Sequence, residues 1–199
     1  MAINLATKTF WAKIILMTLV LMAALTATAF AKETPDETRA KLNKMSTEVL
    51  ERMYKAYPAS RSEMDRAYAY STISSSSVKL GFWGTDRGRG IAVNNETGEK
   101  IYVKMNEVTL GINIGAKEYD LLFIIQNQKA WERFISGNIK FGAEVTAAAT
   151  DGVSGGAVAD AQIIADGVWV YQVDKKGLAL EMTFKGGQIK PIKELNQKK

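Results

Sequence analysis

The sequence predicts an α+β fold: a strongly curved, mostly antiparallel sheet or partial barrel, with an N-terminal amphipathic helix and one short internal helix. Three observations predict it. Helical spacing of apolar residues is confined to Leu42 to Tyr57 and to a shorter stretch after Asn127. From Tyr68 onward the period changes to two, giving six or seven mostly consecutive strands separated by turn residues. Within them Gly81, Gly84, Gly88, Gly90, Gly111 and Gly115 leave one sheet face almost without side chains. Such a face is approached closely by another backbone, a helix or a ligand.

Residues 1–31 read as a secretory signal. Lys8 and Lys13 supply a positive n-region, Ile14 to Leu25 the apolar h-region, and Ala29-Phe30-Ala31 an A-x-A cleavage site. An uncleaved anchor is the other reading of so long an apolar run, but the small residues at its end favour cleavage. The expected location is the periplasm. Of 199 residues, the 168 from Lys32 onward suit a single domain with one sizeable core, its helix within 32–58 and its sheet-rich part within 67–196. There is no Cys, so lipid attachment through a cysteine is excluded and stability must come from burial.

Thr34-Pro35-Asp36-Glu37 is a capping box with proline at the first helical position. Leu42, Met45, Val49, Met53 and Tyr57 follow at steps of three and four, Leu50 and Tyr54 widen the stripe, and Pro58 closes the helix. Such a face can take a membrane or a partner helix, although the protein's own sheet is its usual cover. Ser60 and Glu63 offer a second box for a short helix or turn. Tyr68, Tyr70 and Thr72 then alternate with Ala67, Ala69 and Ile73 as a strand, after which Ser74 to Ser77 read as a polar loop and Gly84 to Gly90 as a tight turn.

Ile91 and Val93 oppose Gly90 and Ala92, Asn94 to Gly98 is a turn, and Ile101, Val103 and Met105 resume the apolar face. The sequon Asn95-Glu96-Thr97 reads as turn chemistry. In the next strand Val108, Leu110, Ile112 and Ile114 oppose Thr109, Gly111, Asn113 and Gly115. Leu121 to Ile125 is apolar on both faces, which predicts a central strand covered on both sides. Asn127 caps a short helix striped by Ala130, Trp131, Phe134 and Ile135, and Gly137 ends it. Residues 139–149 alternate again, Asp151 to Gly156 form a glycine-rich loop, and strands at Val168 to Val173 and Leu178 to Phe184 are joined by Asp174-Lys175-Lys176-Gly177. Residues 174–199 hold seven lysines against three acids and read as a solvated tail.

The chain has no His and no Cys, which excludes the Ser-His-Asp triad, thiol nucleophiles and imidazole or thiolate metal sites together. Gly84 to Gly90 lacks both the spacing and the following helix of a phosphate loop. Asp151, Asp160 and Asp166 match no calcium loop. No catalytic set, metal or cofactor is therefore expected. The formal net charge of +5, which falls to +3 without the two signal lysines, suits loose attraction to anionic surfaces and is too small for a nucleic-acid binder.

Separated blocks carry a family resemblance. Leu80-Gly81-Phe82-Trp83-Gly84, Gly88-Arg89-Gly90-Ile91-Ala92-Val93, Thr97 to Met105 and Gly111-Ile112-Asn113-Ile114-Gly115-Ala116-Lys117 come first, in that order. Phe134, Phe141-Gly142-Ala143, Val170-Tyr171-Gln172, Gly177-Leu178-Ala179-Leu180 and Glu194-Leu195-Asn196 follow. The pattern resembles the SYLF domain family over roughly Ala67 to Asn196. The resemblance implies an exported, non-enzymatic module that binds anionic phospholipid in the cell envelope, and it supplies no catalytic residues. Glu181 stands where many relatives have glycine, and the family's frequent second glycine near Trp83 is missing. In this reading Lys79, Arg87, Arg89, Lys104 and Lys175 meet headgroups while Phe82 or Trp83 enters the acyl boundary. The alternative is a structural protein of the envelope that docks a protein partner through the glycine-rich face or the first helix.

Overall fold

The computed structural model describes residues 33–80, 83–110, 115–137, 139–141, 161–178 and 187–197. By its contacts the chain divides into Met1–Thr34 and Pro35–Lys199, and all that follows concerns the second unit. Its elements run α1 (Pro35–Ala56), α2 (Ala59–Arg66), β1 (Ala69–Leu80), β2 (Trp83–Asn94), β3 (Lys100–Leu110), β4 (Gly115–Ile125), α3 (Gln128–Ile135), β5 (Lys140–Phe141), β6 (Gln162–Ala165), β7 (Val168–Asp174), β8 (Gly187–Pro191) and α4 (Lys193–Asn196). The strands join in one sheet, ordered β5-β8-β3-β2-β1-β4-β7-β6, with every pairing antiparallel. It is the curved α+β sheet that the alternation predicts, bent into a half-barrel.

The alternation of β4 divides the core between the two faces. Leu121, Phe123 and Ile125 join Ile73, Ala92, Val103, Met105, Val168 and Val170 beneath Ala130, Trp131 and Phe134 of α3. Leu122 and Ile124 point the other way, to Val49, Met53 and Tyr57 of α1 and to Tyr171 and Val173 of β7. All five residues from Leu121 to Ile125 are fully buried, so the strand apolar on both faces is central. Each such side chain contributes about 1.5–3 kcal/mol of transfer free energy. Leu42 of α1 adds a third cluster with Ile91, Tyr102, Ile192 and Leu195. The stripe of α1 is thus covered by the protein's own sheet and by α4.

The caps obey local chemistry. The Asn127 side chain accepts from the Ala130 backbone N–H at 2.9 Å, and Gly137 ends α3 at φ 77°. Asn94 Oδ1 accepts from the Glu96 and Thr97 amides, while Asn95 Nδ2 donates to the Met64 and Ala67 carbonyls. The sequon is therefore turn chemistry that also ties the β2–β3 hairpin to the end of α2. Ser60 does not cap α2: Pro58 holds the N-cap position, and the buried Ser60 hydroxyl donates to the Tyr57 carbonyl.

Further expectations give way, among them the separate strand from Val108, since Val108 to Leu110 continue β3 and Gly115 opens β4. Ser74 to Ser77 are not a loop but the middle of β1, paired with β2 on one side and β4 on the other. Nor do Gly84 to Gly90 make a turn; they lie within β2. Both stretches lack apolar bulk, and local composition alone reads that as loop, whereas pairing on both sides satisfies their backbone. Another concerns the bare face. A Cβ on Gly90 would lie 1.9 Å from the Thr72 carbonyl oxygen, and one on Gly88 would lie 2.5 Å from Ile73 Cγ2. At these two buried positions the close neighbour is β1 itself, so that stretch offers no open groove for a partner. The last is the lysine-rich tail, since Gly187–Pro191 pairs with β3 and Leu195 is buried. Residues 142–149 and 179–184 of the predicted strands, the 151–156 loop and Ile112 to Ile114 lie outside the described residues.

Candidate functional site

On the α1 side of the sheet, the register arranges side chains in rows that cross the strands. Tyr102, Ile91, Thr72, Leu122 and Tyr171 stand abreast on β3, β2, β1, β4 and β7, and α1 lies over them. Ser46 of α1 accepts from Thr72 Oγ1 at 2.7 Å within this buried layer. Two residues further along, the next row reads Lys190, Lys104, Arg89, Ser74 and Asp120 on β8, β3, β2, β1 and β4. The row beyond it reads Gln188, Asn106 and Arg87, with Glu118 at the same level on β4.

Lys190, Lys104, Arg89 and Arg87 are all exposed. Among the described residues none of the four takes part in an ion pair. Neighbouring strands lie about 4.8 Å apart, so the three cations of the first row span roughly 10 Å. Like charges directly opposite one another destabilise a sheet. A row that breaks this rule twice, at Lys190 against Lys104 and at Lys104 against Arg89, marks a surface shaped for something other than stability.

The row ends at a buried charge. Asp120 has no exposed surface, and its two carboxylate oxygens are both paired: Oδ2 accepts from Arg52 Nε at 2.7 Å and Oδ1 from Lys175 Nζ at 2.6 Å. Lys175 also donates to Ser74 Oγ. A buried carboxylate needs such compensation, and here it comes from α1 on one side and from the turn after β7 on the other. Two cations against one anion leave the cluster with a net positive charge beside Arg89.

The structure therefore brings Arg87, Arg89 and Lys104 onto one open face, and it gives Lys175 a structural partner in Asp120. Lys79 pairs with Gly84 and Gly115 toward the far end of β1, and Trp83 opens β2 opposite Leu80 and Leu110. Phe82 lies outside the described residues. Sequence reading missed Lys190, Ser74, Asp120 and Arg52. For Lys190 a signal existed in the alternation of Gln188 and Lys190 around Ile189; for the other three only the register brings the side chains together.

A concavity elsewhere, between the start of α1, the β2–β3 hairpin and α4, is lined by Arg39, Lys100 and Asn196 among others. Two of its polar groups are already engaged: Arg39 donates to Asp36 and the Leu195 carbonyl, and Asn196 bonds both ways with the Tyr102 backbone. Among the described residues no group of three or more acids is placed to hold a metal ion. The cation rows are the chemically open site, and what they can do is bind oxyanions.

Residues 106–199 match a family described as Las17-binding protein actin regulator, Ysc84, the SYLF domain. A protein of Aeromonas veronii named beta cell expansion factor A is 29% identical over 168 residues, which are 83% of this chain and 61% of that protein. The chain thus spans about three fifths of the length of the curated relative it matches.

Proposed function

We propose that this protein, whose residues 106–199 match the SYLF family of binding domains, binds anionic phospholipid surfaces of the cell envelope through the cation rows of its sheet. The observation that carries this reading is the row Lys190, Lys104 and Arg89 with Arg87 beside it: four exposed cations on three adjacent strands, with no acidic partner among the described residues. Each basic side chain near an anionic surface contributes about 1 kcal/mol, so four together give measurable, salt-sensitive attachment. The signal-like segment of residues 1–31 supports an envelope location. The protein-docking alternative relied on the α1 stripe and the glycine face. Leu42, Val49 and Met53 of that stripe are buried, as are Gly88 and Gly90 of that face.

The test is co-sedimentation with phosphatidylglycerol and phosphatidylcholine vesicles across a salt series. Binding to the anionic vesicles alone, weakening as salt rises, is the expected result. Equal binding to both lipids, or to neither, rejects the proposal.

A further inference from the structure

We infer that Ser74, flanked by Arg89 and Lys175, forms a discrete subsite for a phosphate-type oxyanion, with Asp120 as the positioning residue that holds Lys175 in place; this rests on the cation-row reading of the sheet and deepens it. Ser74 is the direct cross-strand partner of Arg89 on one side and of Asp120 on the other. Its hydroxyl accepts from Lys175 Nζ, which leaves the Ser74 proton free to donate outward. Lys175 has three N–H groups, of which Asp120 Oδ1 and Ser74 Oγ take two. The Lys175 side chain is one-third exposed, which leaves the third N–H available to a ligand. Arg89 adds a planar fork of donors with no ion-pair partner among the described residues.

Ser74 Oγ and Lys175 Nζ therefore meet, with Arg89 at the cross-strand position beside them. Asp120 supports them from beneath without repelling an anion, because both its oxygens are paired with cations and the carboxylate is fully buried. A mobile lysine on a turn loses side-chain entropy whenever it binds; one already tied to Asp120 has lost it beforehand. Tetrahedral oxyanions fit this set because their oxygens accept several hydrogen bonds at once, and a phosphodiester headgroup and free phosphate share that chemistry.

The experiment titrates inorganic phosphate into the protein, followed by amide NMR shifts, and repeats vesicle co-sedimentation on the same variants. Saturable shifts centred on Ser74, Arg89 and Lys175 are expected in the wild type. Ser74→Ala leaves the net charge unchanged and should weaken phosphate binding about tenfold, the effect of one hydrogen bond to a charged group. Asp120→Asn makes the surface more positive by one charge. Simple attraction therefore predicts tighter binding, whereas a positioning role predicts weaker binding in protein that circular dichroism shows to be folded. No saturable shift, an unchanged Ser74→Ala affinity, or tighter binding by folded Asp120→Asn overturns the subsite. If anionic vesicles still bind while any of these holds, the subsite falls and the surface reading stands. If phosphate binds at Ser74 while vesicles do not, the subsite stands with a soluble anion as its ligand.

Discussion

Strand β1 is flanked by two stretches of opposite character, Leu121–Ile125 of β4 and Arg87–Ile91 of β2. The first has large apolar side chains on both faces, one set under α1 and the other under α3, and none of its residues reaches solvent. The second has glycine inward and arginine outward: Gly88 and Gly90 press against β1 while Arg87 and Arg89 stand exposed. Both are strand, and both are hydrogen-bonded to the same neighbour. The difference shows that one half of the sheet supplies cohesion, so that the other half can carry like charges side by side at a cost in stability.

The comparison breaks first at Gly90. Gly90→Val places a branched side chain where the Thr72 carbonyl already sits, and the expected outcome is loss of the cooperative thermal transition in circular dichroism. Gly98→Ala is the control in the hairpin turn, where φ is 70° and the space is open. It should cost about 1 kcal/mol in urea unfolding. On the apolar side, Phe123→Ala removes a fully buried ring that packs edge-on against Phe134, with centroids 5.5 Å apart. A loss of about 3–5 kcal/mol is expected, with vesicle binding by the folded fraction unchanged.

Arg89→Ala should do the reverse. Removing one of three adjacent like charges leaves stability unchanged or raises it by a few tenths of a kcal/mol. Anionic-vesicle affinity should fall about fivefold, with a shallower salt dependence. A marked drop in stability together with unchanged binding would erase the distinction between the two stretches. The smallest effect belongs to Tyr54, whose phenol is pushed up from 10.0 to about 12 by burial and then by the nearby Asp65 carboxylate. Because the folded value lies above the unfolded one, the neutral phenol's contribution to stability is full below about pH 10 and disappears toward about pH 12. Absorbance titration should show a late-ionising tyrosine that Tyr54→Phe removes.

Much of the fold was legible locally. The α1 stripe, the Asn127 cap, the turn at Asn94 and the doubly apolar β4 all follow from side-chain spacing, because a period of 3.6 or 2 records which face is buried. Ser74–Ser77 and Gly84–Gly90 were illegible for the same reason, since stretches without apolar residues carry no hydrophobic periodicity and their strand state comes from partners on either side. The candidate site was half legible. Arg87, Arg89 and Lys104 stand out beside glycines and aromatics, whereas Lys190 hides in a lysine-rich segment until β8 pairs with β3.

The amino-acid order alone determined the fold class, the absence of imidazole and thiol chemistry, and the alternation that separates apolar from basic along β2 and β3. Only the tertiary structure decided that Lys190, Lys104 and Arg89 form one row, that Gly88 and Gly90 press against β1, and that Asp120 joins Arg52 to Lys175. Alternation is a property of neighbours in the chain, but a row across a sheet is set by register, and register is chosen by the burial of every strand at once.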